Sequence, residues 1–89
     1  MKAKPGHKWI ITLTLPESKQ KFVCGGMEGK LTLFPIAEVP TQKLKNVLAW
    51  DDSVAAHNWM KGLLRRLGNE RGKQFLLMMP DLKQISIIQ

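Results

Sequence analysis

Hydrophobic and polar positions alternate with a period of two in the first third of the chain. From Lys8 to Leu15, Trp9, Ile11, Leu13 and Leu15 fall on one side of an extended backbone, and Lys8, Ile10, Thr12 and Thr14 on the other. This alternation, rich in β-branched residues, predicts a half-buried antiparallel strand. Pro16-Glu17-Ser18-Lys19-Gln20 is turn chemistry, with proline where a ladder must stop. Lys21-Phe22-Val23-Cys24 predicts a second strand. Gly25-Gly26-Met27-Glu28-Gly29 predicts a loop whose glycines permit positive φ, and Lys30-Leu31-Thr32-Leu33-Phe34 a third strand closed by Pro35. Residues 8–34 are therefore expected to form a three-stranded meander.

Further along, the period lengthens to that of a helix. Ala56, Trp59, Met60, Leu63, Leu64 and Leu67 fall within an arc of about 140° at helical spacing, with Asn58, Lys61, Arg65 and Arg66 on the opposite side. Asp52 or Ser53 can cap this helix, Asp51 and Asp52 suit the N-terminal dipole, and Gly68 is a natural stop, giving a helix over 53–67. Gly62 in its middle costs roughly 1 kcal/mol against Ala unless something packs closely there. The segment 36–50 has two readings. Thr41 after Pro40, with Leu44, Val47 and Leu48 at helical spacing, reads as a short capped helix, whereas Val47-Leu48-Ala49-Trp50 reads equally as a strand. After the loop Asn69-Glu70-Arg71-Gly72-Lys73, the run Phe75-Leu76-Leu77-Met78-Met79 is apolar on both sides and predicts a central strand. Pro80-Asp81 turns the chain, and Gln84-Ile85-Ser86-Ile87-Ile88 predicts a final strand.

The elements add up to one compact α+β domain over 1–89. A mainly antiparallel sheet of four or five strands is packed on one face by the main helix, with a short second helix as an option and residues 1–7 as a flexible basic arm. Leu13, Leu15, Phe22, Leu31, Leu33, Met60, Leu63, Leu64, Leu67, Phe75 and Leu77 are the expected core.

Composition narrows the function classes. Eighty-nine residues with 44% hydrophobic and 24% charged content make one ordinary globular domain rather than a disordered chain. A chain this short has a thin core, which excludes a multidomain enzyme or a large cofactor fold. Cys24 is the only cysteine, which excludes an internal disulfide and a cysteine-based zinc site. Met1 to Lys8 has the positive start of a signal peptide but no apolar stretch after it, and no apolar run approaches the roughly 20 residues of a membrane span. The expectation is a soluble intracellular protein without a membrane partner, in a bacterial cytoplasm or, if phage-encoded, in that of the host.

Cys24 and His57 are the only candidates for a nucleophile and its base. No motif supplies a group to orient the imidazole, so Cys24 reads as a small core residue, His57 as a helix-surface residue, and the protein as no enzyme. His7 and His57 have no metal-ligand spacing, and Asp51-Asp52 reads as capping, so neither a metal nor a cofactor is expected. Gly25-Gly26-Met27-Glu28-Gly29-Lys30 lacks the helix that follows a phosphate-binding loop.

Charge remains. Fourteen Lys and Arg against seven Asp and Glu give +7. Eight basic and three acidic residues up to Ala49 give +5 there, and six and four beyond it give +2. If Lys8, Lys21, Lys30, Lys61, Arg65 and Arg66 share a surface, they form the footprint expected for contact with nucleic acid or a nucleoprotein complex. Trp9, Phe22 or Phe34 could stack bases if exposed. The rival reading is an inhibitor or regulator in which the same basic residues steer it to an acidic protein partner, with Met27, Met78, Met79, Trp50 and Trp59 as apolar contacts. A homodimer through the last strand or the helix would complete the small core.

A meander followed by a helix resembles the sheet-type DNA-binding modules of integrases, in which a three-stranded sheet enters the major groove. Ala49-Trp50-Asp51-Asp52 stands where that family has a basic, glycine-containing approach to the helix. In size and charge the chain is also similar to the small accessory proteins of phages and mobile elements, including inhibitors of nucleoprotein complexes.

Overall fold

A computed structural model describes residues 1–27, 30–35 and 47–86. The protein is a small α+β domain: one four-stranded antiparallel sheet and one long helix. In chain order, β1 is His7–Thr14, β2 Lys21–Met27, β3 Lys30–Pro35, α1 Ser53–Leu77 and β4 Asp81–Ser86. The strand order is β3-β2-β1-β4, so the N-terminal strands form the expected meander and β1 lies inside the sheet. The turn after Pro16 is held by the Leu15 N–H donating to the Gln20 carbonyl at 2.9 Å, with Lys19 in the left-handed region at φ 60°.

β1 and β2 pair only from Thr12↔Val23 to Thr14↔Lys21. Beyond that they part, and residues 47–52 lie in the fork. Val47 bridges Gly25, Trp50 bridges Trp9 and Asp52 bridges Lys2. Trp9 and Trp50 exchange backbone hydrogen bonds of 2.8 and 2.9 Å. Residues 47–50 are thus joined to the sheet by isolated bridges and form neither a helix nor a regular strand, while 41–46 of the alternative helix lies outside the described residues. The first residues are tied down rather than free. The Ala3 N–H donates to the Asp51 carbonyl at 2.7 Å and the Lys4 N–H to Gln84 Oε1 at 2.8 Å.

The sheet buries apolar side chains on both faces. Ile11, Leu13 and Cys24 pack beneath α1 with Leu63 and Phe75, joined at the edges by Met60, Leu64, Leu67, Met78 and Leu82. The neighbouring strand positions point the other way, and there Ile10, Val23, Phe34 and Val47 form a second cluster with Ile85 against it. The helix covers one face of the sheet, as expected, and this second layer adds buried residues on the other that the expected core lacked. The layer also corrects the reading of Phe34 as a stacking residue, because Phe34 is buried. Leu31, Leu33 and Leu77 of the expected core are exposed instead, and Leu15 and Phe22 are half-buried.

The other correction concerns the segment after Gly68. Gly68 breaks the helix at φ 79° and ψ −174°, a backbone region open essentially to glycine, but helix resumes and runs to Leu77. Phe75-Leu76-Leu77 is therefore helical, not a central strand. Helical geometry turns Phe75 into the core and leaves Leu76 and Leu77 outside. Met79, at φ 48°, reverses the chain, and the Met78 carbonyl accepts from the Thr14 N–H at 2.7 Å, which hands the chain to β4. β4 begins at Asp81, three residues earlier than expected, because it pairs with β1 from Thr12↔Asp81 to His7↔Ser86. Residues 87–88 of the expected strand lie outside the described residues. Gly25 and Gly26, expected in a loop, belong to β2 and pair with Thr32 and Leu31.

Candidate nucleic-acid interface

The helix that carries three of the six basic candidates is anchored at its start by Asp52. Its Oδ1 accepts the Val54 N–H at 2.9 Å, as an N-cap should. That bond, and then one from the Met1 nitrogen at 3.3 Å, hold the Asp52 carboxyl below the usual aspartate value. The stability this cap adds is complete above the ordinary aspartate range and is lost as pH falls from there through the lowered folded value.

From this start the helix displays Lys61, Arg65, Arg66, Arg71 and Lys73, all exposed, against one acid, Glu70. Among the described residues, the two ion pairs are Met1–Asp52 and Lys8–Asp51, so none of the five helical cations is paired. Lys61 and Arg65 are four residues apart, where like charges destabilise a helix by roughly 0.2–0.5 kcal/mol.

The structure divides the six expected contact residues. Lys61, Arg65 and Arg66 lie together on α1. Lys8 is drawn into an ion pair with Asp51. Lys21 opens β2 opposite Thr14, two residues before Val23 and therefore on the sheet face away from the helix. Lys30 opens β3 in register with Met27, and the side chains of both lie outside the described residues. Arg71 and Lys73 join the helical set. They were missed because 69–73 reads as a loop, and only a helix continuing past Gly68 would have placed them.

Beside this face lies an open groove of about 330 Å³ lined by Gly25, Gly26, Leu31, Leu48, Trp59, Leu63 and Arg66. Its origin is in the packing. α1 rests on β1 and β4, so the helix-facing side of β2 and β3 is left partly bare. Gly25 and Gly26 contribute no side chains there, and Leu31 stands opposite Gly26 at 44% exposure. Leu48 is brought in by its N–H donating to the Cys24 carbonyl at 3.0 Å. From the helix, Trp59 forms a wall supported by Trp50, their ring centroids 5.5 Å apart and tilted by 48°. Arg66 is the one charged residue among the described lining.

Cys24 is fully buried beneath α1, and burial pushes its thiol from 9.0 up to about 12. At neutral pH it is a protonated core side chain, while His57 is exposed on the helix. No group of three metal-ligating side chains occurs among the described residues, and no helix among them is long and apolar enough to cross a membrane. Comparison with known proteins adds no relative: no family model, curated protein or solved structure matches the chain.

Proposed function

We propose that the protein is a small non-catalytic module that binds nucleic acid, free or within a nucleoprotein complex, by laying the outward face of α1 along the phosphate backbone. One observation carries this reading: α1 exposes five basic side chains against one acid, and none of the five forms an ion pair among the described residues. Such charges hold phosphates and position a complex without reading sequence. The single buried thiol fits a reducing cytoplasm, bacterial or, for a phage-encoded protein, that of the host.

A second reading, an accessory protein of phage or mobile-element type that inhibits an acidic protein partner, is favoured by a different feature. Leu76, Leu77 and Met79 are exposed where α1 ends, on either side of the half-buried Met78.

Charge reversal separates the faces. In a fluorescence-anisotropy titration of labelled DNA and RNA, the Arg65→Glu/Arg66→Glu double variant is expected to bind roughly ten-fold or more weakly. Lys21→Glu, on the other face, is expected to bind like wild type. Equal losses in both variants, or no loss in either, would remove the helix face from the proposal.

A further inference from the structure

We infer that the groove between α1 and the β2–β3 hairpin receives one unpaired nucleobase, stacked on Trp59 with its neighbouring phosphate on Arg66, so that single-stranded nucleic acid is the preferred substrate. The inference rests on the nucleic-acid reading above and adds the strand type and the site.

Size restricts the occupant first. About 330 Å³ lies at the small end of ligand sites, which run from roughly 300 to 1,000 Å³. That is room for a single ring system. A standard protein partner buries about 800 Å² of surface on each side, which this hollow alone does not offer.

Lining chemistry restricts it next. Leu31, Leu48 and Leu63 give an apolar surround, and the half-buried Trp59 lines the same hollow with an indole, a ring of the kind on which any base can stack. Trp50 packs against that indole at 5.5 Å and holds its position, so the ring need not be ordered at binding. Gly26, on the helix side of β2 with Cys24 and opposite Leu31, makes the room. A residue with a side chain there would take space from the guest.

Charge supplies the last argument. Arg66 lies on the groove and adjoins Arg65 in the chain, so one residue touches both the apolar hollow and the exposed basic face. A nucleotide has the matching layout, with a flat apolar ring joined to an anionic phosphate. A duplex keeps its bases stacked inside and could use the basic face alone.

The test compares three probes of equal length on the whole protein at low salt: oligothymidylate, an abasic oligonucleotide and a DNA duplex. Wild type is expected to bind oligothymidylate roughly ten-fold or more tightly than the abasic strand, as stacking of one base requires. Trp59→Leu should erase that preference while leaving abasic binding in place. Because Trp59 also packs on Trp50, Leu31→Gln at an exposed strand position is the companion variant, and it should lower the preference too. Equal affinity of wild type for oligothymidylate and the abasic strand would overturn the groove assignment and leave the basic face standing. No binding of any probe would overturn both. A fourth probe, an acidic leucine-bearing peptide, is expected not to bind. If it binds wild type and is lost in Leu31→Gln, the groove belongs to a protein partner and the inference fails.

Discussion

The helix-facing side of the sheet has two halves with the same alternating pattern and opposite outcomes. On β1, Ile11 and Leu13 meet Leu63 and Phe75 and disappear into the core, with Leu82 of β4 packed at its edge. On β3, Leu31 and Leu33 point to the same side, since Leu33 pairs with Cys24, yet they remain 44% and 38% exposed. Alternation decides which side of a sheet a residue takes. The path of the covering helix decides whether that side is closed. Here α1 follows β1 and β4, and the uncovered half becomes the groove beside Arg66.

Truncation breaks or sharpens this contrast most strongly. Leu63→Ala removes a buried side chain at the centre of the helix–sheet contact and is expected to cost about 2–5 kcal/mol in urea denaturation. Leu33→Ala, made at an exposed position of the same sheet side, should stay near about 0.5 kcal/mol. Comparable losses at the two sites would mean that the β2–β3 half is closed as well.

A smaller effect is expected at Cys24, the β2 residue that α1 does cover. Its folded thiol holds a proton to about pH 12, while the unfolded thiol releases it near 9.0. Above pH 9 the unfolded state therefore binds fewer protons, and stability falls as pH rises, by at most about 1.4 kcal/mol per pH unit from this group. Below pH 9 its contribution is fully present. Denaturation curves of wild type and Cys24→Ala from pH 8 to 10.5 should show a steeper alkaline loss in wild type. Parallel slopes would place the thiol in contact with water.

Much of the fold was legible because half-buried strands must alternate. Trp9 to Leu15 and Lys30 to Phe34 gave their elements directly, and Asp52 announced the helix start. The outer cluster was harder to see. Ile10 sits between Lys8 and Thr12, and Val23 follows Lys21 on its side, so that face reads as polar until Val47 is folded against it. Phe75 to Met79 misled for a related reason. An apolar run shows that residues avoid water on average, not which period they follow, and the helical turn after Gly68 buries Phe75 while exposing Leu76 and Leu77.

The site was legible only in its chemistry. Lys61, Arg65 and Arg66 could be placed on one helix from spacing alone. That Lys8 would be neutralised by Asp51 depends on the fork between β1 and β2, which brings sequence positions 43 apart into contact. The groove depends on where α1 crosses the sheet, which no local pattern encodes.

Salt dependence of wild-type binding is the most direct test of the central claim, that the exposed cations of α1 form a phosphate-binding surface. Oligothymidylate affinity would be measured by anisotropy at about 50 and 200 mM salt. Five phosphate contacts should weaken binding by roughly 10²–10³-fold between those concentrations. An affinity that barely changes with salt, or no binding at the lower concentration, would contradict the account.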